Sequence, residues 1–364
     1  AGPRCKQEKR SRATSSSSCA TTPPRRRSRQ AHMLAVVNLV HAYALVREAS
    51  GVCVASRRAA AAPRGCLSMG TTSSDDSLLP VVALSTDDST AEVHLFGGCV
   101  TSYSKGGVEQ LAHRLDSRLD GVKPISGGIP FCFPQFGPGA LQQHGFARNL
   151  DWEIAATTGG ATPSVELRLS ESDYTLAMWP HAFECAYTVT LMPDRLATSL
   201  RVTNTGDAAL EFTAALHTYL AVSSVGHVEL RGGFEGCEYL DKLDGLTKRA
   251  PASTLRVDAA TDAVYRGVSG DVTLTDAGAR GTPARELTVR AGGGWRDTVI
   301  WNPFGDEAMG YDRFVCVESA CALDAVRLAP QAEWAATMDI VPMGATQAKP
   351  EAPDDVTVGG SWGR

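Results

Sequence analysis

The stretch YTVTLMPDRLATSLRVTN, residues 187–204, carries the pattern that decides the fold. Residues 187–191 and 197–204 are β-branched or alternate apolar with polar, a two-residue period that a strand presents on one face. Between them Pro193-Asp194 supplies turn chemistry, since Pro presets φ and Asp bonds its own backbone. The same grammar extends in both directions. Residues 80–84, 92–96, 164–169 and 272–275 read as strands; residues 85–89, Gly97-Gly98, Gly159-Gly160, 204–207 and 292–294 read as turns. No strong helical run of 12 or more residues interrupts them. The expectation is an all-β chain folded as a large antiparallel β-sandwich or barrel. With no repeat of fixed period and no internal linker, residues 78–344 read as one domain.

The segment before it, residues 1–77, is different. Its first 72 residues hold 13 Lys or Arg against two acids, Glu8 and Glu48, with a Ser run at 15–18 and an Arg run at 25–27. Such composition fits an organelle transit sequence, with a basic disordered or nucleic-acid-binding arm as the alternative. The apolar stretch 34–46 contains Asn38 and His41 and is too short to span a bilayer. It has the length of a signal-peptide core, and with Met33 before it and the basic segment 57–64 after it the arrangement fits a bipartite plastid address. Plastid delivery after cleavage is expected, cytoplasmic residence being the alternative. Residues 345–364, ending AKPEAPDDVTVGGSWGR, are rich in Pro, Gly and acids and read as a disordered tail.

Beyond residue 72 remain 22 of the 35 basic and 38 of the 40 acidic residues. That body, with a charge of about −16, argues against a nucleic-acid partner. It leaves room for an anionic substrate, because a few local Arg side chains suffice to hold one. No membrane partner is expected. Four of the ten Cys (Cys5, Cys19, Cys53, Cys66) lie in the leader, no CxxC pair exists, and the Cys316 to Cys321 spacing matches no common zinc or redox signature. The remaining six read as buried small hydrophobes.

Three segments carry chemistry. Residues 123–152, KPISGGIPFCFPQFGPGALQQHGFARNLDW, cannot form a regular strand, because Pro removes ladder donors and Gly weakens β preference. An ordered aromatic-rich loop is expected, with Gln143, His144 and Arg148 spaced to converge on one polar ligand; a structural Ω-loop with a satisfied His144 is the alternative. In FTAALHTYLAV, residues 212–222, alternation puts Ala215, His217 and Tyr219 on one face of an apolar strand and Leu216, Thr218 and Leu220 on the other. In FVCVES, residues 314–319, Phe314, Cys316 and Glu318 share a face, so a carboxyl ends a buried row. Such a group either finds a partner or has its pKa raised, and it serves as a general base or as a bridged structural acid.

Taken in order with WPHAFE (179–184), TDAVY (261–265) and WNPF (301–304), these blocks resemble the hexose-6-phosphate 1-epimerases of the galactose mutarotase-like superfamily. The resemblance covers about residues 78–341 and is nearest to plant and algal plastid members that read KPISGG and FPQFGPG. It implies a supersandwich with the sugar in a cleft across one sheet, and interconversion of α and β anomers of a hexose 6-phosphate. By the same resemblance His217 is the catalytic acid, Glu318 the base, Gln143 and Arg148 ligand contacts, Asp262 a hydrogen-bond partner of sugar hydroxyls, and His144 an orienting group. It implies no metal, no organic cofactor and a monomer whose partner is a small hexose or hexose phosphate. A His beside a carboxylate is expected to start protonated at neutral pH. One position departs: Ser126 stands where most members read PIRGG with a phosphate-binding Arg. The phosphate then falls to Arg148, assisted by Lys123 or the Gly127-Gly128 amides, or the substrate lacks a phosphate. Two rivals follow: an epimerase of a different or unphosphorylated sugar, and a non-catalytic carbohydrate-binding or regulatory module. Retention of both His217 and Glu318 argues against the latter.

Overall fold

The computed structural model describes residues 79–343, together with the backbone of two short strands ahead of them, Cys53–Val54 and Leu67–Thr72. Apart from those strands, the readings of the leader and of the tail at 345–364 fall outside the described residues. Leu67–Thr72 pairs antiparallel with Leu79–Ser85.

The described residues form sheets of six, nine and eight strands. Every strand pairing among them is antiparallel except that of Cys53–Val54 with Leu67–Thr72. Their one α-helix is the two-turn segment Asp173–Met178, opened by a Ser172 capping box. No helix among the described residues is long and apolar enough to cross a membrane.

The strand Leu196–Asn204 buries Leu196, Thr198, Leu200, Val202 and Asn204 and turns the residues between them outward, as its alternating sequence requires. It pairs with Phe183–Leu191 through Leu191 and Leu196, with the Pro193-Asp194 turn joining them. The expected turn at 292–294 starts later, because the strand Arg285–Gly293 stays paired through Gly293.

The nine- and eight-stranded sheets face each other across an aromatic core. Phe212 of one meets Trp334 of the other with ring centres 5.5 Å apart, and Thr218 Oγ1 lies 3.5 Å from Met338 Sδ. Each fully buried side chain of this size contributes roughly 1.5–3 kcal/mol. The strand Phe314–Leu328 lies centrally in the eight-stranded sheet, and its first eight residues are all buried because both of its faces are covered. One face meets the nine-stranded sheet; the other holds the site.

Candidate functional site

Strand register explains how two distant segments meet. The expected apolar strand over 212–222 is two strands, Leu210–Leu216 and Tyr219–Ala221, both paired with Phe314–Leu328. Leu216 opposes Ser319 and Tyr219 opposes Cys316. The same register brings His217 opposite Glu318, and residues directly opposite in an antiparallel pair have neighbouring side chains. The His217 N–H leaves the ladder to donate to the Pro130 carbonyl at 2.9 Å. Its Nδ1 lies 3.4 Å from Glu318 Oε1. Alternation carries the same face across the sheet to Trp301, which opposes both Cys316 and Asp262.

The loop over residues 123–152 covers this face. Its strand Phe131–Cys132 pairs with Ala215 and Leu216, and Phe131, Phe133 and Phe146 are buried beneath it. Two glycines permit the close approach. Gly128, at φ +67°, and Gly145, at φ +70°, would drive a Cβ into the Val100 and Phe133 carbonyls respectively. Gly128 also accepts the Tyr219 N–H at 2.9 Å, tying the loop to the strand beyond His217.

His144 follows in the left-handed region at φ 63°. Its Nδ1 accepts the Gly137 N–H at 3.2 Å, which leaves Nε2 as the protonated nitrogen of the neutral ring, facing the Gln143 side-chain amide at 3.2 Å. Burial, then the nearby Arg148 and Lys242 charges, hold its pKa down to about 3. The His217 ring stacks on Tyr219 with centres 4.7 Å apart, and the Trp301 and His144 rings approach it edgewise at 5.7 and 5.5 Å.

These groups surround a cavity of about 380 Å³, within the range of small-molecule sites. All seven residues read from the sequence, Ser126, Gln143, His144, Arg148, His217, Asp262 and Glu318, line it. Three buried polar atoms there have no hydrogen-bond partner: His217 Nδ1, Glu318 Oε2 and Arg148 Nε. Native proteins rarely strand such atoms, and a ligand that supplies the missing bonds accounts for them. Asp262 is bridged to Lys242 at 3.0 Å, and Arg148 donates to the Gln143 carbonyl at 2.8 Å.

The protonation of the pair differs from expectation. Burial drives the Glu318 carboxyl well above the usual carboxylate range, the Lys242 charge opposing and the Asp262 charge adding to it. Burial, with help from His144, Arg148 and Lys242, drives His217 well below the ordinary imidazole value. The carboxylate therefore does not keep His217 protonated. The 3.4 Å contact lacks hydrogen-bond alignment, so its attraction fails to offset desolvation of two buried charges. Each shift favours the uncharged form, a protonated carboxyl beside a neutral imidazole, so that the pair holds one transferable proton.

The mouth holds groups that sequence reading passed over. Arg114 forks onto Asp116 at 2.8 and 2.5 Å and reaches the Tyr219 hydroxyl. Arg118 and Ser117, likewise unread, stand beside it together with the expected Lys123 and Ser126. Lys242 and Phe136 form the opposite wall, the ammonium lying 5.1 Å from the ring centre. Nothing local in HRLDSRLDG marks these arginines; only the bridge that Arg114 forms with Asp116, two residues on, could have been sought. The Gly128 amide is unavailable to a ligand because it donates to the Ala112 carbonyl.

Comparison with known proteins agrees with this geometry. The aldose 1-epimerase family profile matches residues 80–341. A Cenchrus ciliaris protein named "Putative glucose-6-phosphate 1-epimerase" is 32% identical over 266 residues, covering 67% of this chain and 78% of its own. An Escherichia coli protein of the same name is 30% identical over 212 residues, covering 54% and 68%. The solved structure of a Salmonella typhimurium protein titled "putative mutarotase" superposes with a TM-score of 0.68 at 24% identity, covering 84% of this chain and 99% of that one, and shares the sandwich fold. The sheet that seats an imidazole opposite a carboxyl in one polar cavity thus belongs to a sugar-epimerising isomerase, and the chain is a member of the aldose 1-epimerase family.

Proposed function

We propose that this chain interconverts the α and β anomers of a hexose 6-phosphate, with Glu318 as base and His217 as acid. The observation that carries the reading is His217 and Glu318, 3.4 Å apart, lining one polar cavity together with Arg148, Gln143, His144 and Asp262.

Ring opening needs a base at the C1 hydroxyl and an acid at the ring oxygen. The single proton of the pair suffices for both. Shifted from Glu318 to His217 as sugar hydroxyls enter and bond the carboxylate, it leaves a base and an acid with no uptake from solvent. Glu318 then takes the C1 hydroxyl proton while His217 protonates O5, and the C1–O5 bond breaks to give an aldehyde. Rotation about C1–C2 presents the other carbonyl face, and reversal of both transfers closes the ring as the opposite anomer. Each group of this kind contributes roughly 10²- to 10⁴-fold. His144, held neutral, offers its Nε2–H to a sugar oxygen, and Asp262 accepts from hydroxyls across the cavity.

Charge supports a phosphorylated sugar. Among the bases lining the cavity, Arg114 is spent on Asp116 and Lys242 on Asp262, while burial neutralises Glu318. Arg118, Lys123 and Arg148 are left without an ion-pair partner among the described residues. A cationic mouth on an acidic body fits a phosphate, and Arg118 with Lys123 stands in for the Arg that Ser126 replaces. The test is α-to-β exchange of glucose 6-phosphate, glucose and galactose followed by NMR. Faster exchange of the unphosphorylated sugars would move the substrate class, and no acceleration of any sugar would favour a binding module.

A further inference from the structure

Cys316 takes no part in the chemistry above, yet it lies against the centre of it. Its register partner is Tyr219, two residues beyond His217, and it is two residues before Glu318 on the same face of the strand. The Cys316 Sγ, a His217 ring nitrogen and a Glu318 carboxylate oxygen all lie within 4.8 Å of one another, and all three residues are buried. We propose that these three side chains form an inhibitory zinc site.

The donor set suits a borderline-soft divalent ion. Thiolate, imidazole and carboxylate are the three protein ligands zinc uses, at roughly 2.0–2.3 Å. An ion centred in an equilateral triangle of 4.8 Å sides would sit about 2.8 Å from each donor, so contraction by about 0.5 Å for the sulfur and up to about 0.8 Å for the nitrogen and oxygen completes the bonds. The His217 and Glu318 contact, at 3.4 Å, is already at the ligand-to-ligand spacing of a tetrahedral site. Both have an unpartnered polar atom, which the ion would satisfy. His217 and Glu318 line the cavity while Cys316 lies behind them, so the ion enters by the sugar's route and its fourth position opens onto the cavity. On binding, the Cys316 thiol and the His217–Glu318 pair each release a proton to solvent. Magnesium and calcium, which take oxygen ligands, are rejected.

The consequence is an enzyme that zinc switches off by occupying its acid and its base together, in competition with sugar. The sequence hides this site, because two ligands come from one strand, the third from the break between two others, and they share no metal-binding spacing.

Titration of the full chain with Zn²⁺ and, as a spectroscopic probe, Co²⁺ tests the proposal. Expected are inhibition relieved by added sugar, no inhibition by Mg²⁺, and a thiolate-to-cobalt charge-transfer band in the wild-type protein. Cys316→Ser should abolish the band and raise the half-inhibitory zinc concentration at least about tenfold, while leaving metal-free turnover unchanged. A cobalt complex without the thiolate band, or undiminished zinc sensitivity in Cys316→Ser, overturns it. Should that variant fold poorly, the wild-type cobalt spectrum decides alone, and it does so whether or not the epimerase reading holds.

Discussion

Replacing Glu318 by Gln keeps the shape of the side chain and removes the proposed base, and it should move activity and stability in opposite directions. Loss of a positioned general base costs roughly 10²- to 10⁴-fold in turnover, or about 2.7–5.5 kcal/mol of transition-state stabilisation. Stability responds to a different property of the same carboxyl. Burial raises its folded pKa above the unfolded value of 4.5. The folded state therefore binds more protons than the unfolded state between those two values, and the carboxyl's contribution, full below pH 4.5, is lost as pH rises through its folded pKa. Each unit of elevation is about 1.4 kcal/mol. Glu318→Gln is relieved of that loss, so it should be more stable than wild type at about pH 8 and lose most of the advantage near pH 4. Anomer exchange followed by NMR, with urea denaturation at both pH values, measures the two effects. A variant that keeps turnover within tenfold of wild type, or is less stable at the higher pH, would show that Glu318 is a bridged structural acid.

Lys242→Met should shift the alkaline limb of the kcat/KM profile to higher pH. Lys242 opposes the rise of Glu318, and its loss also frees Asp262 to repel the carboxylate; an unmoved or lowered limb would contradict the assignment. The double change Arg118→Ala, Lys123→Ala should raise KM for glucose 6-phosphate about tenfold, discounted for solvent screening at the exposed mouth, and leave glucose unaffected. An equal change for both sugars would place the phosphate elsewhere. Gly128→Ala, forced to φ +67° against the Val100 carbonyl, should cost about 3 kcal/mol or more in urea denaturation and lower turnover through the Tyr219 bond. An unchanged midpoint would mean that the loop gives way without cost.

Much of this molecule is legible in its sequence because strands report themselves locally. The alternation in residues 187–204 specifies which side chains are buried, and the alternation in residues 314–319 puts Cys316 and Glu318 on one face. What alternation cannot supply is register. That His217 falls opposite Glu318 depends on Leu216 meeting Ser319 and Tyr219 meeting Cys316, and those pairings are set by packing across the whole sheet. The protonation of the pair is a step further from the sequence. A carboxylate beside an imidazole suggests an ion pair, but the ion pair forms only if attraction exceeds the cost of desolvating both groups. At 3.4 Å without alignment, with the Tyr219, Trp301 and His144 rings packed around the imidazole, it does not. The packing that buries the pair thus also favours its uncharged form. On the proposed mechanism, a sugar that bonds the carboxylate is then what shifts the proton to His217, which couples arrival of substrate to creation of the base.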